Sequence, residues 1–379
     1  MHPSAMHSLV WLIFGICAVA AAIHFASVAV ATYRCRERAA RPKPAAYPPV
    51  SLVRPVCGLD AGAEITMRST FEIDYPDYEI IFCVAQPNDA AIPLLKSLLA
   101  QYPHAKARLL VGDDVVSDNP KLNNCVKGWR EAKHEWIVLS DSNVILPRDY
   151  IHRLLARWDD ETGLVCVPPA GGYPQSIPAE FECVFLNEYQ ARWQYFADTL
   201  GAGFAQGKTM LWRRDLLEAR GGIAALGAET AEDAASTKIV REAGLSVKLA
   251  DAPFIQPLGR RGWREVWKRQ VRWARLRRAS FTLCFALEIL SGGVWPSLLA
   301  AYGIWLAGLP LATAAVLPVA WYGAEVWLAR AAGWHVSWRS PFIAIVRDAI
   351  IPILWIEGWR ARGFEWRGNA MIAAPQTAR

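Results

Sequence analysis

The hydrophobic positions of the chain fall into two long apolar ends and a middle built of short apolar runs. Residues 9–33 are apolar apart from His24 and a few small hydroxyl side chains. At about 1.5 Å of rise per residue, such a helix crosses a hydrocarbon layer of about 30 Å, so a membrane helix is expected within residues 1–33. A cleaved signal peptide carries its positive charge before a shorter apolar core. Here the charge follows, as Arg34, Arg36, Arg38, Arg41 and Lys43. By the positive-inside rule these residues make 34–49 a basic cytoplasmic linker. Two more spans are expected at about 282–304 and 310–328, within 281–329. A last apolar stretch, 341–355, contains Arg347 and Asp348 and is short for a crossing. Arg330 and Arg339 precede it and Arg360, Arg362 and Arg367 follow, so 330–379 reads as a re-entrant or interfacial helix with a basic tail. Trp355, Trp359 and Trp366 suit the headgroup level. Glu288 is a costly charge inside a span: it either pairs helices or serves function, or it reaches water at the interface.

Between the ends the pattern shortens. Residues 50–53 form an apolar run that ends at Arg54-Pro55 and leads into Cys57-Gly58-Leu59-Asp60, a buried strand and its loop. A strand is predicted over 78–84, a helix over 92–100, a strand over 107–111, a helix after Pro120 and a strand over 136–139. Strands apolar on both faces, alternating with helices, predict an α/β domain whose mostly parallel sheet is covered on both sides. That domain is placed at 50–256. In such sheets ligands bind beyond the carboxyl ends of the strands, and Asp60, Asp89 and Asp141 each fall just after one.

Composition sharpens this picture. The 379 residues are 53% hydrophobic and only 20% charged, and the apolar excess belongs to the ends. The net charge of +6 raises the question of a nucleic-acid partner. The basic residues, however, crowd beside the apolar segments, at 34–43 and 260–278, where they act as topology and headgroup signals. With no nucleic-acid motif present, the expected partners are membrane lipids and not nucleic acid. Eight cysteines are scattered without a Cys-x-x-Cys pair or zinc spacing. Several, such as Cys83 and Cys166, lie in apolar runs, so they are read as reduced core side chains of a cytosolic domain.

Three short motifs carry chemistry. In Ser140-Asp141-Ser142-Asn143, residues two apart in extended chain point the same way, so Asp141 and Asn143 can face one ligand. Two hard oxygen donors suit Mg²⁺ or Mn²⁺ completed by diphosphate oxygens, although such triplets also make turns. Ala231-Glu232-Asp233 lies between a Gly-rich stretch (Gly221, Gly222, Gly227) and a helix over 234–242. It is either an acidic helix cap or a site with Asp233 as general base. In Arg269-Gln270-Val271-Arg272-Trp273 a helix puts both arginines on one face. They could clamp a diphosphate while Trp273 stacks or anchors, or they belong to a basic helix at the membrane; 257–280 is read as an amphipathic interfacial segment.

The order of these motifs resembles that of the ceramide glucosyltransferases, within the wider inverting, family 2-like group with the (Gln/Arg)-x-x-Arg-Trp signature. The resemblance runs from the N-terminal span to at least Glu288. Val53-Arg54-Pro55-Val56-Cys57-Gly58-Leu59-Asp60, Asp74-Tyr75-Pro76-Asp77-Tyr78-Glu79 and Asn119-Pro120-Lys121-Leu122-Asn123-Asn124 carry it beside the three motifs. Residues 204–214, from Phe204 through Gln206-Gly207-Lys208-Thr209 to Arg214, look like the bacterial branch. The resemblance implies a GT-A type, Rossmann-like nucleotide-sugar domain with N- and C-terminal transmembrane helices, multi-pass in a bacterial inner membrane, its catalytic domain cytoplasmic. It implies Asp89 near the uracil or ribose, Asp141 at the metal and diphosphate, Asp233 as base, and Arg272-Trp273 as the signature pair. Asp60, Lys121 and Arg269 join the donor side. Many relatives carry Asp-x-Asp where this chain has Asn143, a weaker metal ligand. The implied reaction moves a hexose, with glucose expected and galactose or glucuronic acid open, from a UDP-sugar to the primary hydroxyl of ceramide with inversion. The alternatives are another lipid acceptor, a hopanoid or a diacylglycerol, or a catalytically silent nucleotide-binding scaffold.

Overall fold

Strands β1 (Val50–Val56), β2 (Tyr78–Val84), β3 (Ala107–Val111) and β4 (Trp136–Ser140) form where the apolar runs predict them. Leu52 and Val53, adjacent in β1, enter cores on opposite faces, which is why the run is apolar without alternation. On one face Val53 and Ile81 pack with Leu122, Val126 and Trp129 of the helix Pro120–Glu131. On the other, Leu52 and Val138 meet Tyr150, Ile151 and Leu154. Truncating a buried aromatic such as Trp129 costs about 3–5 kcal/mol. Arg54-Pro55 does not end β1. Pairing with β4 stops at Val53 while pairing with β2 continues to Val56, so Pro55 lies where the strand has one neighbour and a missing N–H is tolerated.

The chain adds β5 (Thr162–Cys166), β6 (Pro169–Pro174), β7 (Thr209–Arg213), β8 (Ser246–Leu249) and β9 (Phe254–Gly259), with a terminal hairpin, β10 (Gly363–Trp366) and β11 (Asn369–Ile372). The central sheet has the order β3-β2-β1-β4-β7-β5-β8, and β6 pairs separately with β9. Strand β7 is antiparallel to both β4 and β5, an insertion that the strand–helix alternation does not predict. The computed structural model describes residues 3–36, 44, 46–366 and 369–373. Arg38, Arg41, Lys43, Arg367 and the side chain of Trp366 lie outside what is described.

Among the described residues, two helices are long and apolar enough to cross a membrane, Ser4–Cys35 and Leu311–Ala331. The span expected over 282–304 is broken into Thr282–Leu290 and Val294–Leu306, bent by 40°. The break has local causes. Gly292 takes φ +94°, a conformation that favours glycine, and the Gly293 N–H donates to Asp348 at 2.6 Å. Glu288 pairs with Arg277 through both oxygens, at 2.6 and 2.9 Å, so it ties the break to the preceding helix. The last apolar stretch forms a helix over Ser340–Arg360, 21 residues long and so longer than the sequence pattern gave. Its two charges do not shorten it because they are satisfied internally: Arg347 meets Glu325 at 2.9 Å and Asp348 at 2.7 Å.

Arg34 does more than mark topology. Its guanidinium pairs with Asp198 at 2.8 Å and with Asp251, and donates to the Leu249 carbonyl at 2.7 Å. It also lies 5.0 Å from the centre of the Tyr195 ring. The carboxyl end of the N-terminal helix is thereby fastened to the α/β domain, which lies on that side of the helix.

Candidate active site at the carboxyl edge of the sheet

Asp60, Asp89 and Asp141 all emerge beyond the carboxyl ends of β1, β2 and β4, as the topology rule requires. What joins them into a site is β7. Its register sets Thr209 opposite Ser140, so Lys208 runs alongside Asp141 and its carbonyl accepts the Asp141 N–H at 3.0 Å. The Lys208 ammonium then reaches back to Asp141 Oδ2 and Asn143 Oδ1, at 2.9 Å each. Asn143 also donates to Asp60 Oδ2 at 3.1 Å. As expected from their spacing, Asp141 and Asn143 face one cation, but that cation is a lysine which the sequence reading did not single out.

The second lysine comes from the first turn of the helix Pro120–Glu131. Asn119 caps this helix by accepting from the Lys121 and Leu122 N–H groups. From there Lys121 Nζ lies 2.7 Å from Asp141 Oδ1, 2.6 Å from Glu232 Oε1 and 2.5 Å from the Gly207 carbonyl. Burial alone would raise the Asp141 carboxyl, but Lys121 and Lys208 outweigh it and hold Asp141 well below the usual carboxylate range. Burial works against the Lys121 charge, yet Asp141 and Glu232 hold it above the ordinary lysine value. Lys208 is the less secure of the two. Burial takes it below the ordinary lysine value even though Asp141 opposes the change, and the Arg269 charge adds to the fall.

Asp141 is also fixed from behind. Arg54, fully buried, donates to the Asp141 carbonyl at 2.7 Å and the Val144 carbonyl at 2.9 Å, and to Thr66 and Thr70 on the other side. Burial brings this guanidinium down to about 10. Nothing in the local pattern of β1 announces the role, which only the neighbouring β4 loop defines.

Asp233 is not the cap of its helix. Ala231 holds the cap position, and Asp233 is the second residue of the helix Glu232–Glu242. Its Oδ1 accepts the Ala234 N–H at 2.9 Å and its Oδ2 the Gly207 N–H at 3.1 Å. Burial, joined by repulsion from Glu232, pushes this carboxyl up to about 6, with Lys121 pulling the other way. Glu232 is spoken for: besides Lys121 it accepts from Asn119 Nδ2 at 2.7 Å. At Gly207 a Cβ would stand 2.7 Å from Glu232 Oε1 and 3.0 Å from Lys121 Nζ, so a larger residue would have to displace this ion pair.

The remaining predicted residues divide. Both Asp89 oxygens accept the Gly58 N–H, at 3.0 and 2.9 Å, and Oδ1 also takes the Ala91 N–H at 2.8 Å. Asp89 thus ties the loop after β1 to the loop after β2. Arg269 pairs with the buried Glu182 at 3.1 Å and lies over the Trp273 ring at 5.8 Å. Its charge still reaches both Asp60 and Lys208. Trp273 packs against Ala179, Cys183, Leu186 and Leu258, so it anchors the helix Trp263–Ser280. Arg272 lines a cavity of about 180 Å³ with Glu265, Lys268, Arg269 and Glu365.

Asp141 Oδ2 and Asn143 Oδ1 converge on one cation, the Lys208 ammonium, and this hard donor pair fits a divalent ion that completes its shell from a diphosphate. Among the described residues no group of three or more His, Cys, Asp or Glu side chains is placed to hold a metal, so such completion would be needed.

Residues 17–378 match the family described as Glycosyl transferase family 21. The chain is similar to Ceramide glucosyltransferase 1 of Caenorhabditis elegans, 26% identical over 284 residues, which are 74% of this chain and 60% of that protein. With Ceramide glucosyltransferase 3 of the same organism it shares 23% identity over 360 residues, 93% of this chain and 78% of that one. A shorter match, to the Ceramide glucosyltransferase of Komagataella phaffii, is 39% identical over 112 residues, covering 28% of this chain and 22% of the other. These relatives are a nematode's and a yeast's and lend no support to a bacterial branch. In fold the chain resembles the mannosyltransferase PcManGT from Pyrobaculum calidifontis, solved in complex with GDP-Man and Mn²⁺. The TM-score is 0.54 at 16% identity, covering 93% of this chain and 99% of that one.

Proposed function

The chain belongs to glycosyl transferase family 21, and from that premise we propose that it moves glucose from UDP-glucose to the primary hydroxyl of ceramide with inversion, giving a β-glucosylceramide. Its nucleotide-sugar domain is of the GT-A type. The observation that carries the reading is a pair of half-buried carboxylates kept in different protonation regimes. Asp141 is held ionised by two lysines, while Asp233 stands at about 6. Environments that separate two titratable groups in this way mark acid–base assignments.

In this reading Asp60, Asp89, Asp141 and the lysines receive the donor. A divalent ion, Mg²⁺ or Mn²⁺, held by Asp141 and Asn143 would supply positive charge to the leaving diphosphate. Lys121 lies within the same cluster and adds its own charge there. Arg272 faces its cavity from the signature helix, and Arg269 extends the positive field toward Asp60. The Asp233 carboxylate takes the proton of the ceramide hydroxyl as that oxygen bonds to the anomeric carbon and the bond to the UDP oxygen breaks. One displacement inverts the configuration. The acceptor enters from the lipid beside the helix Trp263–Ser280 and the C-terminal helices. The experiment is to follow UDP in detergent with the full chain and UDP-glucose. Release should depend on ceramide, and release indifferent to ceramide would defeat the acceptor assignment.

We place the α/β domain on the cytoplasmic face, where nucleotide sugars are made, because Arg34 fixes it to the basic end of the N-terminal helix. A reporter fused after Gln256 should then behave as cytosolic, and one fused near Gly308 as external. An external signal from the first fusion would overturn the placement. Only the resemblance of residues 204–214 points to a bacterial membrane.

A further inference from the structure

We propose that Lys208 is a built-in cation at the diphosphate site, and that a divalent ion enters between Asp141 and Asn143 only in exchange for its ammonium. The inference rests on the reading of Asp141 and Asn143 as the metal-binding pair. The Lys208 Nζ stands 2.9 Å from Asp141 Oδ2 and 2.9 Å from Asn143 Oδ1, so it fills the one point on which both oxygens converge. A small divalent ion needs those same oxygens at about 2.0–2.1 Å, and two cations cannot share them at contact.

The two lysines of the site are not equivalent. Lys121 is held by two carboxylates and a carbonyl, whereas Lys208 has one carboxylate and a neutral amide. Expelling Lys121 would take an ammonium from Glu232 as well as from Asp141, whereas expelling Lys208 takes one from Asp141 alone and leaves Lys121 attached to it. Lys208 is therefore the exchangeable cation. Its backbone cannot follow, because its carbonyl is bonded to the Asp141 N–H at 3.0 Å and the Gly207 N–H to Asp233 at 3.1 Å. The exchange is a swing of the side chain alone. It leaves a positive charge tethered beside the diphosphate; before donor and metal arrive, the same ammonium neutralises Asp141 and satisfies the Asn143 oxygen.

The test uses the full chain in detergent with Mn²⁺ alone, counting free Mn²⁺ by its electron paramagnetic resonance signal. Lys208→Met and Lys208→Gln, each checked by its melting transition, should bind Mn²⁺ at least about tenfold more tightly than the wild type, because removing the competing charge frees both oxygens. Adding Asp141→Ala to either variant should erase the gain. Affinity equal to or weaker than wild type in both variants overturns the proposal, as does a gain that survives the loss of Asp141. A second measurement needs no mutation. Mn²⁺ should raise the rate at which an amine-reactive reagent labels Lys208 in the wild-type chain, read by peptide mass spectrometry; an unchanged rate counts against the exchange. Because Mn²⁺ binding is measured without sugar or lipid, the two readings fail separately. Tight Mn²⁺ binding by the variants, with no ceramide-dependent UDP release by the wild-type chain, would sink the ceramide reading and leave Lys208 where it is placed here.

Discussion

Asp233→Asn should lower turnover by about 10²–10⁴-fold in a protein that stays folded. The change keeps the shape of the side chain but removes the proton acceptor. The effect cannot be ascribed to a lost helix cap, since Ala231 holds that position. In the wild type the rate should also fall as pH drops through about 6, where Asp233 takes up a proton. Stability should move the opposite way from activity. The folded-state value, about 6, lies above the ordinary 3.8, so the folded protein binds this proton more tightly than the unfolded chain. The stabilisation from that proton is fully present below about 4 and is lost as pH rises to about 6. Relative to wild type, the Asn variant should therefore gain in melting temperature between pH 4 and pH 7, as calorimetry can check. Near-normal turnover in the folded variant would remove the base role from Asp233.

Asp141→Ala should abolish transfer even at saturating Mn²⁺, because it removes the only charged member of the Asp141–Asn143 donor pair. It also strips both lysines of the carboxylate that they share. The pair is half-buried, so leaving both lysines short of a partner costs less than the loss of a fully buried one, but melting should still fall. Asp141→Asn should lose activity with a smaller loss of stability, since its carbonyl oxygen still accepts from one lysine. Because the folded-state value of Asp141 is depressed, its contribution to stability is present above the usual carboxylate range and disappears as pH falls toward that depressed value. Full activity in a strong chelator would remove the metal from the reaction and leave Lys121 and Lys208 to neutralise the leaving group.

The first half of the sheet was legible because its signals are local. Apolar runs at 50–53, 78–84, 107–111 and 136–139 each became a strand, and the loops after three of them carry Asp60, Asp89 and Asp141. What stayed hidden depends on partners distant in sequence. Thr209–Arg213 looks like any short strand, and only its antiparallel insertion between β4 and β5 brings Lys208 to Asp141. The helical spacing of Arg269 and Arg272 was readable, but the pairing of Arg269 with Glu182 was not, because Glu182 lies in an unrelated helix. Glu288 was recognisable as a costly charge in an apolar run, whereas its partner Arg277 depended on the bend that follows. The same holds for Arg34, whose basic cluster suggests a lipid headgroup and whose acceptors Asp198 and Asp251 appear only when the domain folds back onto the N-terminal helix.

The central claim, glucosyl transfer to ceramide at this carboxylate–lysine cluster, is tested most directly by the lipid product. Purified full chain, UDP-glucose, Mn²⁺ and ceramide should give UDP and a β-linked hexosylceramide in equal amounts by mass spectrometry and nuclear magnetic resonance, with neither formed by Asp233→Asn above background. An α-linked product, a hexose found only on another lipid, or an Asp233→Asn variant as productive as wild type would contradict it.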